Sequence, residues 1–192
     1  MKLVKRILCL AIVLATLMTM MILPVPTSAD EDATNMKVVG ASIRTEGTQG
    51  LRIVGKIKKG SYSLTYGNSA NFGLVLIPKY MVNNGTEITK STSGVLTIPA
   101  VKAMEYNHPW IVSSIAAGER AEGYIYFVAT VTGISEANYK TDFLARVYVN
   151  DKYSTQNTRS VYTVANTLGL TSIVNTANSY GTDIVVPVTS IN

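Results

Sequence analysis

The chain carries one cysteine, one histidine and one tryptophan, and charged residues make up only 15% of its 192 positions. A single Cys excludes an internal disulfide. A single Cys and a single His exclude a zinc site built from several such ligands, and leave a Cys–His nucleophile only if Cys9 and His108 meet. They are not expected to meet, because Cys9 lies in a segment expected to be removed. Gly-x-Ser-x-Gly elbows, phosphate-binding loops, EF-hand loops and metal-ligand spacings are all missing, so neither a cofactor nor a metal is expected. No repeat with a period of about 20–50 residues is visible, which argues against a solenoid. What the chain does have is apolar residues, 47% of the total, enough for one domain of this length to bury a core without staples.

Lys2, Lys5 and Arg6 precede an uncharged, largely apolar run from Ile7 to Leu23. Pro24, Pro26 and the small residues Thr27-Ser28-Ala29 follow, directly before Asp30-Glu31-Asp32. A positive start, an apolar stretch and a small-residue cut site form the secretory pattern, so residues 1–29 are expected to be a signal peptide cleaved after Ala29. An uncleaved anchor is the alternative, since the run is at the short edge for a spanning helix; membrane contact is expected only through this segment. A lipoprotein reading through Cys9 is disfavoured by bulky Leu8 before it. Cleavage leaves fourteen basic residues against twelve acidic ones, so the net charge falls from +5 to +2. That is no nucleic-acid footprint, and no nucleic acid is expected as a partner. Lys56, Lys58 and Lys59 are the only local basic cluster and are expected on a solvated strand edge. The exported chain would be cysteine-free, as is familiar in surface proteins of Gram-positive bacteria, and its ending, Val188–Asn192, carries no motif resembling Leu-Pro-x-Thr-Gly.

After a polar leader at 30–36, residues 37–192 are expected to form one mainly β, β-sandwich-like domain with one amphipathic helix near the C-terminal end. Ala41–Arg44 and Leu51–Ile57 alternate as half-buried strands around the glycine-bearing loop Glu46–Gly50. Leu51, Ile53 and Ile57 are expected to face the core, with Arg52, Val54 and Lys56 facing away. Phe72–Ile77 is a continuous apolar run ended by Pro78, as in a central strand buried on both faces. Asn84-Gly85 suggests a tight turn. Shorter extended segments are expected at Val95–Ile98, Val101–Tyr106 and Pro109–Val112, and longer strands at Gly123–Thr132 and Thr141–Asn150. Val161, Val164, Ala165 and Leu168 recur at helical spacing, with Thr158 or Ser160 as cap and Gly169 as stop. Asp183–Val188 reads as a last strand.

Three stretches together resemble a known module: Gly40-Ala41-Ser42-Ile43-Arg44-Thr45 with Gly50-Leu51-Arg52, then Phe72–Pro78, then Tyr126–Val131 with Phe143–Val149. The module is β-rich and recurs in secreted, often multidomain, surface proteins of gut clostridia and their relatives. The resemblance spans about residues 38–168, and its most specific piece is the Ile-Arg…Gly-Leu-Arg pair. It implies an extracellular, non-catalytic domain and carries over no functional residues.

Two constellations carry candidate chemistry. Arg44, Arg52 and Arg146 lie on three strands; on one face they would suit a carboxylate or phosphate ligand, because the planar guanidinium makes bidentate contacts. The bland account pairs them with Glu46, Glu105, Glu122 or Asp142, and a buried Arg146 in particular would need a carboxylate. The segment Glu105-Tyr106-Asn107-His108-Pro109-Trp110 gathers the only His and only Trp beside a carboxylate and a tyrosine. Flat aromatic faces with polar neighbours suit sugars, and Tyr80, Tyr139 and Tyr153 are further candidates for exposed rings; against this, Trp110 is more commonly core. A glycan-cleaving site would need two carboxylates, but nothing in the spacing of Glu105, Glu119, Glu122 and Asp142 singles out a pair. The sequence therefore points to a secreted or cell-surface, non-catalytic module that binds a glycan or a surface protein. The alternatives are a glycan-cleaving domain and a structural subunit that assembles by strand addition, with Asp183–Val188 as donor.

Overall fold

A computed structural model describes residues 34–180. The chain clusters into two units, Met1–Glu31 and Asp32–Asn192, and every element described here belongs to the second. The expected signal peptide, most of the polar leader and the expected strand Asp183–Val188 lie outside the described residues.

The domain is mainly β, built as two antiparallel sheets in a sandwich. In the three-stranded sheet the order is β1 (Met36–Arg44), β2 (Gly50–Lys58), β5 (Tyr124–Thr132). In the five-stranded sheet β4 (Leu96–Pro99), β3 (Phe72–Pro78) and β6 (Phe143–Val149) lie side by side. The short strands β7 (Lys152–Tyr153) and β8 (Asn157–Arg159) both pair with the far edge of β6. Period-2 alternation selects the inner faces. Leu51, Ile53 and Ile57 of β2 meet Phe127 and Val131 of β5, and Leu74 and Leu76 of β3 meet Ala145 and Val147 of β6, in one shared core. Phe72 and Phe127 touch edge to face across it, with centroids 5.4 Å apart.

Both outer faces are covered as well, and this accounts for the strands that read as continuously apolar. On the five-stranded sheet Val75, Ile77, Leu144 and Tyr148 pack beneath Ile88, with Val82, Val95 and Tyr153 around them. On the three-stranded sheet Val39, Val54 and Tyr126 pack beneath Ile111 and Ile115. Val54 thus faces away from the central core, as expected, yet it is fully buried. The lysine cluster departs from expectation in a related way. Its strand β2 is the middle strand of its sheet, so Lys56 and Lys58 are not on an edge.

The element covering Val54 corrects a second expectation. Pro109–Val112 is not a strand; Pro109–Ser114 forms a short helix, α1. Pro109 occupies its first turn, and the His108 ring Nδ1 accepts the Trp110 backbone N–H at 3.2 Å. A proline at the first helical position with a capping residue before it is the helix signature that the β-prone Trp-Ile-Val run obscured. Ile111 and Ile115, one turn apart, then present one apolar face to the sheet. The Val101–Tyr106 stretch forms a single bridge, Met104 with Tyr126, and so straps the sandwich from β4 across to β5.

The expected helix is present as α2 (Val161–Thr167), and Ser160 closes a reciprocal capping box with Thr163. Gly169 stops it at φ 70°, a backbone conformation glycine adopts without strain. A second helix, α3 (Thr171–Ser179), follows at once and packs Ile173 and Ala177 onto the core. Its apolar positions are too sparse among Ser, Thr and Asn to have stood out as a periodic signal.

Candidate functional site

The three arginines do not converge. Arg52 lies on the outer face of the three-stranded sheet, its guanidinium carbon 5.8 Å from the Trp110 ring centroid. Arg44 turns onto its own hairpin, its Nε donating to the Glu46 carbonyl at 2.9 Å. Arg146 belongs to the outer face of the other sheet, where the bland account holds in part: it is buried and has a carboxylate 3.3 Å away, but that carboxylate is Glu87.

The aromatic segment is tied into the fold. Glu105 pairs with Lys59 at 2.6 Å, and His108 serves as the cap of α1. Trp110 and Tyr106 are half-buried against the Val54–Tyr126 cluster. Of the tyrosines named for exposed rings, Tyr80 is exposed and Tyr139 is buried. Tyr139 donates its hydroxyl to Gln49 at 2.5 Å, and burial raises its pKa above the ordinary phenol value. Tyr153 is half-buried; the Arg146 guanidinium lies 5.2 Å from its ring centroid and its hydroxyl accepts the Lys90 N–H. A smaller cleft of about 390 Å³ lies between Tyr66 and the strap residues Val101–Glu105.

Glu119 has a definite structural role. Lys37 and Lys56 are opposite one another on β1 and β2, and both reach Glu119, at 2.7 and 2.9 Å. The carboxylate therefore staples the 116–121 loop over the sheet, and the hydrogen bonds from Lys37 and Lys56 hold its pKa below the ordinary 4.5. A group with a depressed folded pKa contributes stability above its unfolded value and loses that contribution as pH falls through the folded one. Stability is thus expected to decline on acidification below 4.5. Glu119→Gln should flatten that decline and, because the pair is partly solvated, cost no more than about 1 kcal/mol at neutral pH. Urea midpoints across the acid range test this; a wild-type-like acid slope in the variant would refute it.

The larger concavity is a groove of about 610 Å³ that sequence reasoning missed. Gly40 and Ala41 of β1, with Ile115 after α1, form one side; Thr158 and Arg159 of β8, with Thr163, Val164, Thr167 and Leu168 of α2, form the other. Asp142 is the one carboxylate in its lining. Arg159 donates to the Asn157 side chain and to the Thr158 carbonyl, and it forms no ion pair among the described residues. Burial draws its pKa below the ordinary guanidinium value, although an arginine remains a cation. β1 is an end strand of its sheet, and among the described residues only β2 pairs with it. The groove therefore combines part of a strand edge without a ladder partner among the described residues, apolar side chains, threonine hydroxyls and one cation. No sequence signal marked it, because its residues come from β1, the end of α1, β8 and α2, each unremarkable alone.

Among the described residues no cluster of His, Cys, Asp or Glu could hold a metal ion, and no helix is long and apolar enough to cross a membrane. No family model, curated protein or solved structure matches this chain.

Proposed function

We propose that this is an exported, non-catalytic binding module that takes an extended polypeptide segment of a surface protein in the groove between β1 and α2. The observation that carries the proposal is a groove of ligand size lined by Gly40 and Ala41 of β1, a strand whose second edge has no ladder partner among the described residues. Such an edge offers main-chain hydrogen bonds to an added strand, while pockets beside it select alternate side chains. Its volume is in the usual range for ligand sites. A lone carboxylate, Asp142, suits recognition better than glycoside cleavage, which uses two. The polypeptide is favoured over a glycan because Trp110 and Tyr106 are engaged in packing α1 onto the sheet.

An array of overlapping segments from secreted surface proteins, run beside a glycan array, tests the proposal. Peptide binding should weaken about tenfold or more in Leu168→Asp, which puts a charge at an exposed apolar lining position, and should persist in Trp110→Ala. Glycan binding abolished by Trp110→Ala, or peptide binding indifferent to Leu168→Asp, would overturn it.

A further inference from the structure

One wall of the groove holds a cation whose hydrogen-bonding capacity is only half used. We propose that the ligand of the groove presents a carboxylate, from an acidic side chain or from a chain end, to the guanidinium of Arg159. This rests on the groove being the binding site argued above, and it names the ligand chemistry that the site selects.

The position of Arg159 follows from strand register. In the ladder of β8 with β6 it stands opposite Phe143, and Phe143 belongs to the central core. Directly opposed residues of an antiparallel pair share a face, so Arg159 starts from the core side of its sheet and lines the groove from there. Elsewhere in the domain, half-burial of a cation goes with a partner. Arg52 lies over the Trp110 ring and Lys56 holds Glu119, while the more deeply buried Arg146 has two carbonyls and Glu87. Arg159 has neither a ring nor a carboxylate among the described residues, and Asp142, although it lines the same groove, is not within ion-pair distance of it. Arg120 also lacks such a partner, but its Nε is buried and it lines neither the groove nor the smaller cleft.

The guanidinium is held along one side and open along the other. Its Nη1 donates to the Asn157 side chain and to the Thr158 carbonyl, the latter at 2.8 Å, which fixes the plane of the group. Nε and Nη2 have no acceptor among the described residues. These two donors form the side-on edge of the fork, whose parallel N–H bonds match the two oxygens of a carboxylate. Drawing a cation partly out of water costs free energy, and an anion seated on that edge offsets the cost. The charge of the lining selects the kind of anion. Arg159 is its one cation and Asp142 its one carboxylate, so a single negative charge is the match, whereas a phosphate monoester carries about −1.5 to −2.

The test titrates the full chain with short peptides of Val, Thr and Ser in three forms: capped at both ends with one Gln, capped with Glu in place of that Gln, and the Gln form with a free terminal carboxylate. At least one carboxylate form should bind about tenfold or more tighter than the capped Gln form. Which of the two does so separates a side-chain source from a chain end. Arg159→Gln should erase the advantage. Equal binding of all three forms, or an advantage that survives Arg159→Gln, would overturn the proposal. The comparison of peptides needs no change in the protein, so it decides the matter even where the variant fails to fold. The Arg159 Nε–H signal in nitrogen NMR supplies a second readout. N-acetylaspartate amide should shift it saturably and N-acetylasparagine amide should not; no shift, or a shift at lower concentration with inorganic phosphate, would count against a carboxylate site. A saturable shift without any peptide binding leaves the carboxylate site standing and sinks only the polypeptide reading. Peptide binding indifferent to both carboxylates does the reverse.

Discussion

Arg146→Met is expected to destabilise the domain by about 3 kcal/mol, and Arg146→Ala by somewhat more, because each strips donors from buried carbonyls. Arg146 is 7% exposed. Its Nε donates to the Ser154 carbonyl at 2.6 Å and its Nη1 to the Ile88 carbonyl at 3.2 Å. The edge strand is arranged around this contact. β7 and β8 are interrupted at Ser154–Gln156, and there the Ser154 hydroxyl accepts the Val147 N–H at 3.0 Å, in the place of a ladder carbonyl. The Ser154 carbonyl is thereby free to accept from the guanidinium. On the other side Gln156 clamps the 86–88 loop, accepting the Ile88 N–H and donating to the Thr86 carbonyl. Arg146 thus fastens the lid over Val75, Ile77 and Leu144.

Glu87, by contrast, is three-quarters exposed at its side chain, so its ion pair with Arg146 should contribute little. Glu87→Gln is expected to stay within about 0.5 kcal/mol of wild type. Arg146→Lys, a compact point charge without the fork, should lose roughly half of what Arg146→Met loses. Equilibrium urea unfolding of the series decides between the two contributions. A Glu87→Gln loss equal to that of Arg146→Met would assign the energy to the ion pair and refute the carbonyl account.

The second large effect is expected at Gly73. A Cβ built there lies 2.1 Å from the Ile98 carbonyl oxygen and 3.0 Å from the Pro99 Cα. Both belong to β4, so no side chain can swing aside; the strand itself must move. Gly73→Ala should cost about 3 kcal/mol, the upper end for overpacking, and Gly73→Val more. The damage should spread beyond β4, because the adjoining Phe72 carbonyl accepts the Ala100 N–H at 2.9 Å and so starts the strap that crosses to β5. Gly118→Ala, with open space around the new methyl, serves as the control and should stay within about 0.5 kcal/mol. Thermal melts compare the two, and a Gly73→Ala protein as stable as the Gly118→Ala one would refute the close-approach account.

Much of the sandwich was legible in the residues. Alternation in Leu51–Ile57, the turn at Asn84-Gly85, the apolar run Phe72–Ile77 and the spacing Val161–Leu168 each report a local period, and period follows from backbone geometry alone. The misreading of Pro109–Val112 as a strand set β propensity against a capping signature, and tertiary packing of Ile111 and Ile115 resolved it in favour of the helix. Sites were far less legible. Arg146 was rightly singled out for lying in an apolar strand, but its acceptors sit 8 and 58 positions away in sequence. Trp110 and His108 drew attention by rarity, and rarity says nothing about whether a ring caps, packs or binds.

The scarcity of Cys and His, the strand periods and the glycine stops were thus determined by the sequence itself, since each is a property of composition or of neighbours along the chain. Which faces are covered, which arginine is a fastener and where a ligand-sized groove opens were decided only by the tertiary structure. Each of these depends on segments distant in sequence meeting at one point: β1 with β8 and α2 at the groove, Glu87 and Ser154 at Arg146. No local pattern encodes such a meeting, because the free energy that fixes it is the burial and hydrogen bonding of the assembled whole.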